Sequence, residues 1–258
     1  MNSNLLSLNV AKTKYITFSL KELGRNNNLK LKMHSVSCKL NYHTCSCSEI
    51  ESTDRIKYLG MIVDQNLNWK HHVSFIASKM RKMLPKLYVL RKMVSTELLR
   101  MFYFAVVQSI IQYGITCFGG TYISNVNPII ALQNHIVKLM SFKSFLDPPG
   151  PAYTGLNVMS FRTIFVKKAV IYYYLSLQHS NRPNDMPHYL TRGVSNGLVP
   201  EPFVTKTKTK KSLTCQAPKF FNLLPINIRQ EKNFRKFTTL TEKWLKEIDV
   251  NSLFNVVE

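Results

Sequence analysis

Ile56-Lys57-Tyr58-Leu59-Gly60-Met61-Ile62-Val63-Asp64-Gln65-Asn66-Leu67-Asn68-Trp69 is where the chain changes character. Ile56, Tyr58, Ile62 and Val63 are β-branched or aromatic, the residues a half-buried pleat prefers. Gly60 interrupts the run, the usual mark of a bulge or a close backbone approach. Asp64-Gln65-Asn66 is turn chemistry. Trp69 then opens a long, basic, amphipathic helix. Strands and loops are expected before this stretch and helices after it, so the expected fold class is α+β.

Downstream, Val73, Ile76, Met80, Leu84, Leu87 and Leu90 recur at three and four residues, giving one apolar helical face. Lys79, Lys82 and Lys86 share the same spacing on its flank. They are either a solvated face or a stripe against a phosphate backbone. Pro85 removes a helical hydrogen bond and predicts a kink or a break. Ser95 or Thr96 caps the next helix, with Glu97 in its first turn and Leu98, Leu99, Phe102, Val106 and Ile110 as its buried side. Tyr113-Gly114 ends it. Asn127-Pro128 predicts a third helix, about Ile129 to Ser141, with Leu132, Ile136, Leu139 and Met140 inward. Asp147-Pro148-Pro149-Gly150-Pro151 is the strongest breaker. A fourth helix runs from about Phe161 to Gln178, with Ile164, Phe165, Ala169, Tyr172 or Tyr173, and Leu175 packed. Residues 180–200 read as loop and Lys206–Lys211 as a basic tract. Residues 231–247 read as a last short amphipathic helix.

Upstream, Leu6–Val10 and Tyr15–Phe18 are short apolar runs around a turn. Residues 20–33, with Lys21, Arg25, Lys30 and Lys32, form a polar loop. Residues 34–55 alternate loosely and suggest one more strand.

Lys and Arg number 35 against 14 Asp and Glu, a net charge of +21. That imbalance favours a polyanionic partner, nucleic acid before an anionic membrane surface. A hydrophobic content of 45% is that of a folded chain. No stretch reaches the roughly 20 apolar residues of a membrane span, and the N-terminus lacks the pattern of a secretory signal. The cysteines are Cys38, Cys45, Cys47, Cys117 and Cys215. Their odd number and irregular spacing point to free thiols in a reducing compartment, so an intracellular protein, nuclear or cytoplasmic and not secreted, is expected. His43, Cys45 and Cys47 invite a metal reading, but C-x-C without a second ligand pair reads as loop cysteines, and no metal site is expected.

Tyr58-Leu59-Gly60, the apolar strand after it, Asp64 in a turn and Leu67-Asn68-Trp69-Lys70-His71-His72 together resemble the palm-to-thumb junction of reverse transcriptases from jockey-like non-LTR retrotransposons. Leu6-x-Leu8-Asn9-x-x-Lys12-Thr13-x-x-Ile16-x-Phe18 is similar to the segment after that family's catalytic aspartates. Phe221-Asn222-Leu223-Leu224-Pro225, then Phe234-Arg235-Lys236-Phe237 and Trp244-Leu245, is similar to its C-terminal ending, with Phe221 where the family usually has Trp. The resemblance covers most of the chain. It implies a small strand-rich palm remnant (1–66), a mainly helical thumb (67–146) and a helical C-terminal extension (147–258).

The resemblance also implies descent from an RNA-directed DNA polymerase of a mobile element. That chemistry needs two Mg²⁺ held by adjacent carboxylates, which clamp the attacking and leaving oxygens. The sequence contains no Asp-Asp pair, and Asp64 matches a turn residue of the family. The chain is therefore expected to be a truncated polymerase without polymerase activity of its own and without a cofactor, Mg²⁺ belonging to the full-length family enzyme. By resemblance, Tyr58, Leu59 and Gly60 are the primer grip. His71, Lys79, Lys82 and Lys86 lie on a thumb helix that tracks a template–primer duplex. Lys12 matches a palm lysine and, without the aspartates, reads as a surface or turn lysine. RNA and RNA–DNA duplex are the expected partners. The alternatives are a non-catalytic basic binding module and an inert remnant.

Overall fold

A computed structural model describes residues 9, 12–18, 30–34, 38, 45, 47–179 and 198–257. The fold is α+β: a helix-rich chain with two small two-stranded sheets among the described residues. It divides into two compact units, Met1–His72 and Val73–Glu258. No helix among the described residues is long and apolar enough to cross a membrane.

In the first unit, β1 (Lys14–Tyr15) pairs in parallel with β2 (Glu51–Ser52), with Lys14 and Glu51 in an exposed ion pair at 2.9 Å. β3 (Arg55–Tyr58) and β4 (Met61–Asp64) form an antiparallel hairpin in which Tyr58 faces Met61. The single strand expected over Ile56–Val63 is thus two strands. Gly60 is a hairpin turn residue and not a bulge. Leu59 and Gly60 both have positive φ, 45° and 82°, the pairing of a two-residue turn that matches the twist of its strands. Of the upstream readings, Leu6, Leu8 and Val10, Lys21 and Arg25, and Val36, Leu40 and Tyr42 lie outside the described residues.

The second unit is helical. The helix expected from Trp69 to Leu90 is two: α1 (Lys70–Arg81), which starts in the first unit, and α2 (Leu84–Leu90), with Pro85 in its first turn. Proline fits there, because the first turn has no partner for its missing N–H. Val73, Ile76, Met80 and Leu87 are buried as expected. Ser95 caps α3 (Thr96–Phe102) by accepting the Leu98 N–H. This helix widens into a π-helical segment, Tyr103–Gln108, and closes as α4 (Ser109–Gln112).

The buried face of that composite helix differs from the one expected. Leu99, Tyr103, Val107 and Ile111 are buried, whereas Leu98 is exposed. The wider turn keeps every fourth residue on one line, where an α-helix lets such a line drift around the axis. The Ser109 hydroxyl donates to the carbonyls of Ala105 and Val106 at 2.8 and 2.9 Å, covering acceptors in the widened turn.

Gly114, at φ 67°, turns the chain into α5 (Ile115–Phe118). α6 runs Ile123–Met140, six residues longer at its start than expected, with Pro128 inside it. Burial of Val126 and Ile129 offsets the lost bond. Ile136, Leu139 and Met140 are buried, but Leu132 is only half-buried and Gln133 is fully buried. Past the proline-rich turn come α7 (Gly150–Leu156) and α8 (Phe161–His179), which buries Ile164, Phe165 and Ala169 as expected. Of its tyrosines, Tyr174 is the buried one, while Tyr172 is exposed.

α9 (Thr207–Lys210), α10 (Leu213–Asn222), α11 (Ile226–Arg229), α12 (Phe234–Glu247) and α13 (Val250–Val257) complete the unit. α8 packs on α10 and α12. Phe165, Phe220 and Phe254 meet edge-on or tilted, and Tyr174 stacks on Phe237 with centroids 4.0 Å apart.

Gln133 knots this core. Its Nε2 donates to the Tyr103 hydroxyl at 2.7 Å and to the Met159 carbonyl at 3.0 Å, and its Oε1 accepts the Phe161 N–H at 2.7 Å. Burial pushes the Tyr103 phenol up to about 12, with the Gln133 bond opposing. Gln133→Leu strands a buried hydroxyl and a buried amide. It is expected to lower the stability of the second unit by about 3 kcal/mol, read as a fall in the urea midpoint.

Candidate nucleic-acid interface

The β3–β4 hairpin presents its tip to solvent: Tyr58 is 64% and Leu59 73% exposed. Large apolar side chains are rarely left at a turn, and leucine at positive φ is strained where glycine or asparagine is not. Arg55 and Lys57 lie on the same strand as Tyr58, and both are exposed. The Arg55 guanidinium donates to His71 Nδ1 at 3.1 Å. An aromatic ring beside cations is a stacking surface next to phosphate partners.

The turn after β4 anchors the hairpin. Asp64, only 8% exposed, turns both carboxylate oxygens inward. Oδ1 accepts the N–H groups of Asn66 and Asn68 at 3.1 and 3.0 Å, and Oδ2 accepts that of Trp69 at 2.9 Å. Its carbonyl takes the Leu67 N–H at 2.9 Å. These bonds fix Leu67 and Trp69 at φ 52° and 62°. Buried His72 accepts the Ile62 N–H on Nδ1 at 3.3 Å, tying the start of α1 back to β4. Asp54 and Asp64 also line a shallow cavity with Asn66, Asn68, Lys70 and His71. The Asp64 carboxylate is committed to backbone amides, so its role is structural.

Tyr58, Leu59 and Gly60 are thus together at one tip, and His71 is exposed on the first turn of α1. Lys79, Lys82 and Lys86 belong to the second unit and are exposed. The expected single stripe is divided: Lys79 is on α1, Lys82 in the turn between the helices and Lys86 on α2. Lys79 lies over the Phe75 ring at 4.4 Å. Lys12 is exposed in a turn closed by its N–H on the Asn9 carbonyl at 3.2 Å. The tract Lys206–Lys211 forms one helical turn, α9.

Arg55 and Lys57 were not among the expected contacts, although their alternation with Ile56 was visible in the sequence. The metal reading also changes. His43 lies outside the described residues, but His34, Cys38, Cys45 and Cys47 offer ligand atoms that all lie within 4.8 Å of one another. The Cys47 amide N–H, donating to Cys45, holds the Cys45 thiol below its ordinary range against the opposing effect of burial. The expectation of unconnected loop cysteines does not describe this cluster.

No family model, curated protein or solved structure matches the chain.

Two substitutions test the hairpin and its anchor. Asp64→Ala removes three charge-assisted acceptors. It is expected to cost about 3 kcal/mol locally, seen as faster hydrogen exchange at the Asn66, Asn68 and Trp69 amides. Leu59→Asn relieves the left-handed strain and is expected to stabilise the hairpin by about 0.5–1 kcal/mol. Slower exchange of the β3–β4 ladder amides would register it.

Proposed function

We propose that this chain is the duplex-holding part of an RNA-directed DNA polymerase of the jockey-like non-LTR retrotransposon kind. It binds RNA and RNA–DNA hybrid and does not join nucleotides by itself. The observation that carries this reading is the exposed Tyr58–Leu59 tip, set beside Arg55 and Lys57 on a hairpin buttressed by Asp64. A primer-gripping hairpin needs such a tip: apolar and aromatic groups for the terminal nucleotide, cations for the backbone, and a rigid base.

Three further features support it. The net charge of +21 suits a polyanion. Exposed Lys79, Lys82 and Lys86 offer phosphate contacts that set register without reading sequence. The aspartate nearest the motif is spent on backbone amides, and the sequence has no adjacent aspartate pair. Mg²⁺ chemistry therefore belongs to the full-length enzyme of the family.

The test is a fluorescence-anisotropy titration of a labelled RNA–DNA hybrid at several salt concentrations. The expected result is affinity that falls linearly in log–log form, each of Lys79→Ala, Lys82→Ala and Lys86→Ala reducing the slope by about 1. Tyr58→Ala is expected to weaken binding about tenfold at constant slope, the signature of a lost stacking contact. Absence of binding at low salt would leave an inert remnant, and primer extension by the purified chain with Mg²⁺ and nucleotides would refute the non-catalytic half of the proposal.

A further inference from the structure

The first unit has little to hold it together. Among its described residues the one buried apolar side chain is Cys45; the other buried groups are Asp64 and His72. Short strands on so small a core are marginal unless a disulfide or a metal fastens them. The chain segments around Cys45 are arranged as a metal clasp requires.

Residues 31–34 and 47–50 run antiparallel. The Met33 N–H donates to the Ser48 carbonyl at 3.0 Å, the Ile50 N–H to the Leu31 carbonyl at 2.8 Å, and Lys32 faces Glu49. Carried two residues on, that register sets His34 opposite Cys47. Two residues further along a strand is the same face, so both sit on the side that Lys32 and Glu49 occupy. The Lys32 ammonium donates to the Cys45 carbonyl at 3.0 Å, which fastens Cys45 to the same ladder. His34 Nδ1 lies 3.4 Å from the Cys38 sulfur and 3.5 Å from the Cys45 sulfur. With Cys47, the four ligand atoms fall within 4.8 Å of each other.

We propose that His34, Cys38, Cys45 and Cys47 bind one Zn²⁺ in a closed tetrahedral site that fastens the first unit.

The dimensions suit this ion. Zinc bonds of about 2.3 Å to sulfur and 2.0–2.1 Å to nitrogen place tetrahedral ligands roughly 3.5 Å apart for N and S and roughly 3.8 Å for two sulfurs. The two nitrogen–sulfur separations already have that value, and the widest pair needs a contraction of about 1 Å from the 4.8 Å bound. Three thiolates and an imidazole exclude Ca²⁺ and Mg²⁺, which take oxygen. All four positions are protein ligands, so the site is structural and leaves no coordination position for substrate. Three thiolates around a divalent ion carry one excess negative charge, and Lys32 stands beside it. Binding displaces protons from the thiols; no bond to carbon is made or broken. A disulfide is the chemical competitor, and it would consume two of the three sulfurs.

The test uses the full chain, purified in reducing buffer without chelator, with metal measured by mass spectrometry. One zinc per chain is expected. Replacement by Co²⁺ is expected to give thiolate charge-transfer absorption together with the intense visible bands of a tetrahedral ion. Cys38→Ser and Cys47→Ser are each expected to weaken zinc binding by more than about 100-fold, beyond what loss of a supporting residue produces. Cys117→Ser and Cys215→Ser, at thiols outside the cluster, should leave it unchanged. Far-ultraviolet dichroism reports whether the helices of the second unit survive each change. If a variant unfolds, the Co²⁺ spectrum of the unaltered chain decides by itself. Substoichiometric zinc in the folded chain, octahedral Co²⁺ bands, zinc retained by Cys38→Ser and Cys47→Ser, or an intact mass two hydrogens short of the reduced chain would each overturn the proposal.

Discussion

A single buried carboxylate sets the geometry at the hinge of the sequence. Asp64 gathers the amides of Asn66, Asn68 and Trp69, while Leu67 and Trp69 sit in backbone conformations that L-residues avoid. Two such residues so close together would not persist in a free loop. The bonds stabilise them because an ionised acceptor on a backbone donor is worth roughly twice a neutral one. From that knot the chain leaves in two directions: backward into the β3–β4 hairpin, and forward into α1, with His72 reaching back to Ile62. The turn therefore decides both where the hairpin stands and where the helix begins.

The two units are stabilised by different means. The second has a conventional core of leucine, isoleucine and phenylalanine, with α8 surrounded by α10, α12 and α6. Its buried polar group, Gln133, uses both ends of its amide on three partners, so its burial carries little penalty. The first unit has almost no apolar interior among its described residues, and relies on directional bonds: Asp64, the Lys14–Glu51 pair and the ladder from Leu31 to Ile50. Directional bonds hold geometry well but contribute little net stability each.

The large divisions of the fold were legible in the sequence. The change of period at Asp64–Trp69, the interruption at Pro85, the Ser95 cap and the Phe161 helix all arise from local chemistry that tertiary contacts leave intact. What was not legible depends on distant partners. Leu59-Gly60 lacks the asparagine or aspartate that announces a tight hairpin turn, so the run reads as one strand. The buried face of α3 escapes the periodicity because a π-helical turn has no residue code; only the burial of Tyr103 against Gln133 reveals it. Pro128 reads as a helix start, yet two buried neighbours extend the helix past it. The grouping of His34 with three cysteines arises from an antiparallel register, which spacing along the chain does not encode.

The widened turn at Tyr103–Gln108 also says something about ancestry. A π-turn is what remains when one residue is inserted into an α-helix and the surrounding packing refuses to rotate. Here Leu99, Tyr103, Val107 and Ile111 have kept their seats, and the surplus has been absorbed as girth. Excising one exposed residue, Phe104 or Ala105, would restore an ordinary α-helix while swinging everything C-terminal to the cut by about 100°. Unless the later elements re-register, Ile111 and the Gly114 corner would then face the wrong way. The extra residue, whatever its origin, has become part of the architecture.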